Sequence, residues 1–512
     1  MPSLTRRSTL KAFAMGTAGV WGASLTNVGV AQGTTRSKTK SKTATKAVPR
    51  GAPRPPANAA PSTEVGRGSA AAWRFPVGGY GPLLADPKGL IDLPAGFRYV
   101  VLAAPGETTM ADGSRIPARP DAMGSYTVGS TIVIAINHEL SADDGDAVPR
   151  NDANEVVASY DRTLGGGVSL ITMDTAGRAI SHRPALTGTA RNCAGGITPW
   201  GTWLTCEESE VTVNGTPHGY VFEIDPTRTQ TDAVPYRAMG RFPHEAAAVD
   251  PQTSEVYLTE DNGGNALLYK FVPTDRSQRF GSLGRGGTLF ALRVPGVANL
   301  GELTQPGSTV SGVGWTPVPN PNGVDTPQDV LGLKNLFPDT SVTRAQKLEG
   351  AWFHDGLLTF ISSFNESISQ PILRHEGQVF QYDPRRSTLT LLAYLPVGGR
   401  QEFSNETLSR PDNVSVSRFG GVIWCEDGID PNGIGALDAN GTPFAFARSR
   451  EPGELCGVHF SPDGTWLFVN QQVVGRTLAI TGPWTPTTKA STTVAGNPNT
   501  RKPANNGFRQ NR

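Results

Sequence analysis

The sequence has few of the residues that mark the commonest catalytic and metal sites. It has four cysteines and seven histidines in 512 residues, and none of them form Cys-x-x-Cys, His-x-x-x-His or His-Glu-x-x-His spacings. That argues against zinc fingers, haem attachment and the common zinc hydrolases. The sequence also has no Gly-x-Ser-x-Gly motif and no Gly-x-x-x-x-Gly-Lys-Ser loop, which disfavours serine-hydrolase elbows and phosphate-loop nucleotide sites.

A sustained 3.6-residue apolar pattern is also missing, and 60 glycines and 41 prolines leave little room for long helices. Short apolar runs recur instead, each closed by a turn rich in Asp, Pro, Gly or Asn. They include residues 131–136, 219–226, 248–259, 377–384, 414–424 and 458–469. Each run is typical of a strand, a tight turn and a second strand. Their recurrence at irregular spacing predicts an all-β fold, a β-propeller with inserted loops rather than a sandwich, although the repeats are too degenerate to count blades.

The two ends of the chain differ from its middle. Residues 1–31 place Arg6 and Arg7 before an uncharged, glycine-interrupted apolar stretch with a small-residue cleavage site, which indicates a twin-arginine export signal. The alternative, an uncleaved membrane anchor, needs roughly 20 continuous apolar residues. Residues 32–70 and 485–512 have almost no large apolar side chains, which predicts a basic disordered linker and a disordered tail around a domain at 71–484.

Setting the ends aside changes the charge of the protein. Residues 1–70 and 485–512 hold 16 of the 46 basic residues and one of the 45 acidic residues, so the middle is acidic although the whole chain carries +1. This excess of carboxylates argues against nucleic-acid binding and suits a domain that holds multivalent cations. Alternatively, part or most of the excess carboxylates simply solvate the protein surface.

Acidic residues fall repeatedly at the ends of the predicted strands. They are Glu139, Glu207, Glu208, Glu245, Glu349, Asp412 and Asp427. The innermost strands of a propeller point one end toward the central channel, so acids from distant segments can converge there and then need cations between them. Each acid taken alone is more simply a turn former or a solvated charge, and only the recurrence favours a metal site.

Cys193 lies among small residues in Arg191–Gly196, where a thiolate could bind a transition metal beside carboxylates. A buried inert thiol or a disulfide are the alternatives. Cys425 and Cys456 could form such a bridge in an exported protein.

Several of these phrases resemble the PhoX family of bacterial alkaline phosphatases. The longest is Asn192–Glu208, and the others follow in the family's order: Gly240–Ala246, Tyr269–Val272, Lys347–Glu349 and Gly377–Tyr382. The resemblance covers roughly residues 75–480, and the twin-arginine signal matches the family's usual export.

The resemblance implies a six-bladed propeller whose channel holds ferric and calcium ions. It also implies that the protein hydrolyses phosphate monoesters in the periplasm or outside the cell. Carried onto this chain, Cys193 would ligate iron, Glu245 and Glu349 would be carboxylate ligands, and Glu139, Glu207 and Glu208 would hold calcium or bridge to it. The assignment of Asp412 and Asp427 as metal ligands depends on their positions at strand ends and not on the resemblance.

The sequence departs from the family where larger members carry Arg-Pro-Glu, since this chain has Lys347-Leu348-Glu349. The phosphate contact then falls to Lys347, which binds as a point charge, or to Arg410. We expect a small-molecule phosphate ester as substrate, the twin-arginine translocon as partner during export, no nucleic acid, and a monomer. A calcium-dependent lactonase-like propeller hydrolase and a non-catalytic, metal-stabilised binding propeller are the alternatives.

Overall fold

The computed structural model describes residues 75–141, 144–152, 155–228, 232–263, 265–323, 337, 341–365, 373–398, 408–428 and 431–484, and the structural statements below refer to these residues. The predicted export signal, linker and C-terminal tail lie outside them. The predicted domain bounds therefore stay predictions.

The described strands form two small two-stranded sheets and six larger sheets, and we number the six larger sheets as blades in chain order. The first blade contains Pro120–Val128, Thr131–His138, Gly166–Asp174 and Ala179–Thr189, with Ala158–Ser159 added in parallel at its edge. The second blade contains Asn192–Ile197, Trp203–Glu207 and Val221–Ile224. The third blade contains His244–Val249, Val256–Glu260, Leu268–Pro273, Gly287–Arg293 and Gly314–Pro317.

The other three blades follow the same plan. The fourth blade contains Leu348–His354, Leu357–Ser362, Gly377–Asp383, Thr388–Leu395 and Thr309–Ser311. The fifth contains Pro411–Val416, Val422–Glu426, Gly433–Leu437, Pro443–Ser449, Ile91–Pro94 and Leu83–Leu84, and the sixth contains Leu455–Phe460, Leu467–Gln471, Arg476–Thr481 and Arg98–Ala103. Smaller elements are the paired strands Asn151–Asp152 with Glu155–Val156 and Thr212–Val213 with Thr216–Pro217, and the 3-10 turns Arg237–Met239, Leu283–Arg285 and Leu300–Glu302.

The innermost strands of successive blades contact one another in chain order, and that of the sixth blade contacts that of the first. The sheets therefore close into a ring, and the predicted all-β, six-bladed propeller is confirmed. No helix in the described part of the chain has the length and apolar character needed to cross a bilayer.

Strands from the beginning of the domain close the ring. Arg98–Ala103 pairs with Arg476–Thr481 in the sixth blade, and Ile91–Pro94 pairs with Pro443–Ser449 in the fifth. Because these pairs join segments more than 350 residues apart, the sixth blade is completed only when both ends of the domain are present. A closed ring leaves only short sheet edges exposed.

The turns that the sequence predicted have visible local causes. In the 458–469 hairpin, the hydroxyl of Ser461 accepts a hydrogen bond from the backbone N–H of Trp466 at 3.0 Å, and the backbone N–H of Thr465 donates to Asp463 at 3.1 Å. Gly464 has φ +74°, a left-handed conformation that glycine adopts without strain. This Ser-Pro-Asp-Gly sequence therefore reverses the chain between two buried strands.

Asn137 joins the first two blades beneath the channel mouth. It is fully buried, and its Nδ2 donates to the carbonyls of Cys193 at 3.0 Å and Ala194 at 2.7 Å. Its Oδ1 accepts a hydrogen bond from Nε1 of the buried Trp203 at 2.8 Å. One amide thus satisfies three buried polar groups at the place where the Cys193 backbone must be held.

We expect Asn137→Leu to lower the free energy of unfolding by about 3–5 kcal/mol, because two carbonyls and an indole N–H lose their partner in a buried site. Urea unfolding followed by tryptophan fluorescence measures the change. Asn440→Leu, at an exposed turn position, is the control and should change stability by less than about 0.5 kcal/mol. A loss below about 1 kcal/mol in Asn137→Leu would contradict the role given to this amide.

Candidate metal centre

All six innermost strands begin in the same way. The first residue of each innermost strand pairs with the last residue of the second strand in the same blade. One extra residue in the innermost strand then shifts the register between these two strands. These first residues are Pro120, Asn192, His244, Leu348, Pro411 and Leu455. A β-bulge of this kind turns side chains away from the regular alternation of a strand, and here it recurs at the same end of all six blades.

Three sets of equivalent residues surround these bulges. The leading residues, directly before the first residue of each strand, are Arg119, Arg191, Pro243, Lys347, Arg410 and Glu454. The inner residues, directly after it, are Asp121, Cys193, Glu245, Glu349, Asp412 and Cys456. The outer residues, which follow the second strand of each blade, are Glu139, Glu208, Asp261, Ser363, Asp427 and Gln472.

One backbone hydrogen bond repeats in every blade, from the N–H of the outer residue to the carbonyl of the leading residue, at 2.9–3.3 Å. The four basic leading residues also share a left-handed backbone, with φ 48° at Arg119, 49° at Arg191, 37° at Lys347 and 47° at Arg410. This conformation is unfavourable for side chains other than glycine and is often retained at functional sites. The same left-handed conformation therefore places a basic leading residue beside the inner and outer residues in four blades.

The acidic side chains and one thiol form four groups, in each of which one possible ligand atom per residue lies within 4.8 Å of the others. The groups are Cys193 with Glu208 and Glu245; Glu245 with Glu349 and Asp412; Asp412 with Asp427 and Glu454; and Glu454 with Asp121 and Glu139. Consecutive groups share a residue, so the four form a continuous belt. Its ends also approach, since the Cys193 Sγ lies 3.7 Å from Asp121 Oδ1.

Burial and mutual repulsion raise the pKa of Asp121 and Glu245 and so favour their protonated forms. Burial, and then the charge of Glu139, raise the pKa of Asp121 to about 8. Burial raises the pKa of Glu245 well above its usual range, with Asp412 and Glu349 adding to the effect. The pKa of the Cys193 thiol is raised by burial first and then by Asp121 and Glu245. Cations placed among these groups would remove the repulsion.

One buried carboxylate oxygen has no hydrogen-bond partner. Glu245 is fully buried, and its Oε1 accepts a hydrogen bond from Asn413 Nδ2 at 3.3 Å, whereas Oε2 has no donor. Glu245 belongs to two of the four groups. An unsatisfied oxygen at the junction of two acidic groups suits a metal ligand.

Two side chains tie parts of the belt together. Arg191 donates from Nε to Glu139 Oε1 at 2.9 Å and from Nη2 to the same oxygen and to Glu208 Oε2, the last at 3.0 Å. Gln472 donates from Nε2 to Asp121 Oδ2 and Glu139 Oε2, both at 2.8 Å. These contacts fix the orientation of three carboxylates before any ligand binds.

The two predicted phosphate-contacting residues lie beside the belt. Lys347 Nζ is 2.7 Å from Glu349 Oε1, 3.6 Å from Asp261 Oδ2 and 4.0 Å from Asp427 Oδ2. The Arg410 guanidinium lies over the ring of Phe364, with its Cζ 4.0 Å from the ring centroid.

Seven of the eight predicted ligands lie in the belt, and Glu207 does not. Its Oε1 accepts from Ala190 N at 2.9 Å and His218 Nδ1 at 2.6 Å, and its Oε2 accepts from Gly219 N at 2.8 Å and Tyr220 N at 3.1 Å. Three of these contacts hold residues 218–220, in the loop that follows the strand ending at Glu207. Cys425 and Cys456, considered as a disulfide, are both free and buried.

Asp121 and Glu454 belong to the belt but were missed by the sequence reasoning. The signal was available as short repeats. Arg119-Pro120-Asp121 repeats the Arg-Pro-Asp of residues 410–412, and Glu454-Leu455-Cys456-Gly457 parallels Lys347-Leu-Glu-Gly350. Aligning the strand starts with one another would have found both residues.

The channel narrows directly below the belt. The residues that follow the inner residues are mostly small, and five of them, together with Asn413 and Trp352, line a cavity of about 20 Å³. The Trp352 and His459 rings, from the fourth and sixth blades, lie 5.1 Å apart between centroids. On the other side of the belt, the side chains of Arg191, Lys347 and Asp427 are 41%, 22% and 44% exposed, so the site reaches solvent at the leading and outer residues.

Comparisons with known proteins identify the family and match the fold. The sequence model of a family described as alkaline phosphatase PhoX matches residues 78–475. Pseudomonas fluorescens PhoX, solved in complex with vanadate, a transition state analogue, is similar in structure with a TM-score of 0.60 and 19% identity over 78% of this chain and 97% of that chain. A Xanthomonas campestris gluconolactonase matches with a TM-score of 0.38 and 12% identity over 79% of this chain and 98% of that one, which is too distant to carry an argument. No curated protein matches the chain significantly.

We expect the metal-free protein to lose thermal stability as the pH rises from 5 to 8, and to lose little more above that. The pKa of Asp121 is raised to about 8 from an ordinary 3.8, so between these two values the folded state keeps a proton that the unfolded state has released, and each rise in pH favours unfolding until the folded state loses the proton as well. Calorimetry in excess EDTA measures the melting temperature. Asp121→Asn should reduce the decrease, and a melting temperature that rises over this range would contradict the crowding of charges.

Proposed function

The chain belongs to the PhoX family of alkaline phosphatases and is a phosphoric monoester hydrolase, and on that premise we propose that it works outside the cytoplasm with ferric and calcium ions held in the propeller channel. The observation that carries the proposal is the belt of four acidic groups that share residues and include the Cys193 thiol.

The donor atoms suit both kinds of ion. Eight carboxylates line the belt, and carboxylate oxygens are the ligands that calcium prefers. Cys193 adds one thiol next to Glu208 and Glu245, and a sulfur ligand beside carboxylates favours a transition metal over calcium. Lys347 and Arg191 compensate only part of this negative charge, which supports more than one multivalent ion.

When bound, such ions would neutralise phosphate oxygens and acidify the attacking oxygen. The protein's own contribution is to position groups. Arg191 and Gln472 hold Glu139 and its neighbours in place, and the partly exposed side chains of Lys347 and Asp427 mark the side on which the belt reaches solvent. The substrate phosphate would therefore approach past Lys347 and Arg410.

Lys347 remains a cation in this site. Burial alone would lower its pKa, but the carboxylates of Glu349, Asp261 and Asp412 outweigh burial and raise the pKa. The ammonium is thus available to stabilise charge on the phosphate oxygens, at the position where the resemblance implies an arginine. Arg410, from the neighbouring blade, supplies a second cation.

Export by the twin-arginine route is part of the proposal. Arg6 and Arg7 precede the apolar stretch of residues 1–31, and this translocon carries proteins that are already folded. Loading of metal ions in the cytoplasm before export would fit a site built from six separate segments of the chain, because the site forms only in the folded ring.

The purified protein with iron and calcium should release phosphate from an aryl phosphate at alkaline pH. Lys347→Met should lower kcat/KM by about 10²–10³-fold, the usual effect of removing one group that stabilises transition-state charge, while Lys347→Arg should retain most activity. Initial rates give these values, and metal analysis confirms that each variant is loaded. If the wild type binds iron and calcium but has no phosphatase activity, the proposal is refuted, and a lactonase-like hydrolase or a binding propeller is favoured.

Cys193→Ser should lose most of the bound iron while keeping calcium, because a hydroxyl is a poor substitute for a thiolate. Elemental analysis of the protein as isolated measures both metals. Cys425→Ala, which removes a buried thiol outside the belt, is the matched control and should keep both. Calcium without iron in the wild type would support the lactonase-like or binding-propeller alternative.

A further inference from the structure

Arg119, the leading residue of the first blade, has a neutral hydrogen-bond partner. Its Nη1 donates to Oε1 of the Gln472 amide at 3.1 Å. Among the described residues, this is the one hydrogen bond of the guanidinium, and no carboxylate forms an ion pair with it. Because a guanidinium has five N–H donors, most donors of Arg119 have no acceptor in the described part of the chain.

Two other basic leading residues form ion pairs with acids of the belt. Arg191 donates from Nε to Glu139 Oε1 at 2.9 Å, and Lys347 Nζ lies 2.7 Å from Glu349 Oε1. Arg119 has the same left-handed backbone as these two residues. The partner of its charge is therefore what sets Arg119 apart from Arg191 and Lys347.

Gln472 explains this difference. It is the outer residue of the sixth blade, a position at which four other blades carry an acid. Its Nε2 donates to Asp121 Oδ2 and Glu139 Oε2, both at 2.8 Å, so that Oε1 is left for Arg119. The buried amide thus orients Arg119 without neutralising it, whereas a glutamate at the same place would form an ion pair.

The guanidinium of Arg119 lies at the rim of the belt. One amide separates it from the carboxylates of Asp121 and Glu139, and the residue is only half-buried. Asp144 is an exposed acid nearby, and its pKa is lowered mainly by hydrogen bonding with Ser141 and further by the charge of Arg119. It forms no ion pair with Arg119, so the free donors can bind an oxyanion from solution.

Arg119 lies across the channel from the side to which the phosphate was assigned. The first and fourth blades are opposite one another in a ring of six, and the proposed function places the substrate phosphate beside Lys347 of the fourth blade. A substrate bound in that way extends its leaving group toward the first blade. A planar guanidinium there matches the two oxygens of a carboxylate or a phosphate.

We propose that Arg119 is a specificity-determining residue, which binds a second oxyanionic group on the leaving group of the substrate. The favoured substrates are then phosphate monoesters that also carry a carboxylate or a second phosphate. This inference rests on the proposed function and deepens it, since it names the class of substrate that the same site takes.

The test compares phenyl phosphate with 4-carboxyphenyl phosphate and with 1,4-phenylene bisphosphate. Arg119→Gln should lower the ratio of kcat/KM for one or both dianionic-leaving-group esters to that for phenyl phosphate by about fivefold, as expected for a partly exposed ion pair. The ester whose ratio falls further identifies the group that Arg119 prefers. Arg119→Lys keeps the charge but not the planar fork, and its ratio should fall by at most about twofold.

Arg178→Gln is the matched control. Arg178 also belongs to the first blade, but it lies in the turn between strands 166–174 and 179–189, at the far end from the belt, where it pairs with Asp174 and is 81% exposed. This variant should leave both ratios unchanged. Elemental analysis should find the same metal content in all variants, because Arg119 is not a metal ligand.

Two results would overturn the inference. One is an unchanged ratio for both test esters in Arg119→Gln. The other is an equal loss with all three esters, accompanied by weaker inhibition by inorganic phosphate, which would show that Arg119 acts on the transferred phosphate or on the site as a whole.

Failure of the proposed function gives a different result, since the metal-loaded wild type would then hydrolyse none of the three esters. Calorimetric binding of phenylphosphonate and 4-carboxyphenylphosphonate, which requires no hydrolysis, then tests Arg119 independently. The wild type should bind the carboxylated phosphonate more tightly, and Arg119→Gln should lose most of that preference. Equal preference in the two proteins would refute the role of Arg119.

Discussion

Repulsion among buried carboxylates is the constraint on which the rest of this structure depends. Eight acidic side chains and a thiol meet at one mouth of the channel, and burial raises the pKa of most of them. Such a site is stable only if protons, cations or basic side chains supply positive charge. Arg191 and Lys347 supply part of that positive charge, the neutral Gln472 amide only donates hydrogen bonds to two of the carboxylates, and the uncompensated remainder is the physical reason to expect metal ions.

The propeller meets this constraint by repetition. Every blade contributes the same bulge and the same backbone hydrogen bond, from the outer to the leading residue, so six short turns hold the ligands in a ring. Small residues must follow, because neighbouring innermost strands come close. A Cβ added at Gly350, for example, would collide with the backbone of Val414. The innermost strands are thus closely packed next to the belt, as a preorganised site requires.

Departures from the repeat carry the functional information. The sixth blade has Glu454 where four others have a basic residue, and the fourth blade has Ser363 and Phe364 where the first has Glu139 and Leu140. Each change alters the local charge, while the backbone hydrogen bond from the outer to the leading residue is kept. A ring that repeats the same backbone contacts in every blade therefore carries a different set of charges in each blade.

The sequence by itself determined the all-β class, the hairpins and most of the acidic residues of the belt, because alternation, turn residues and acids at strand ends are local features. It could not separate Glu207 from Glu208, since one position of register decides whether a carboxylate accepts the hydrogen bonds of its own loop or points into the belt. Nor could it show that Asp121 and Glu454 meet Glu139, or that Phe364 lies under Arg410. Those contacts join different blades, and only closure of the ring brings the blades together.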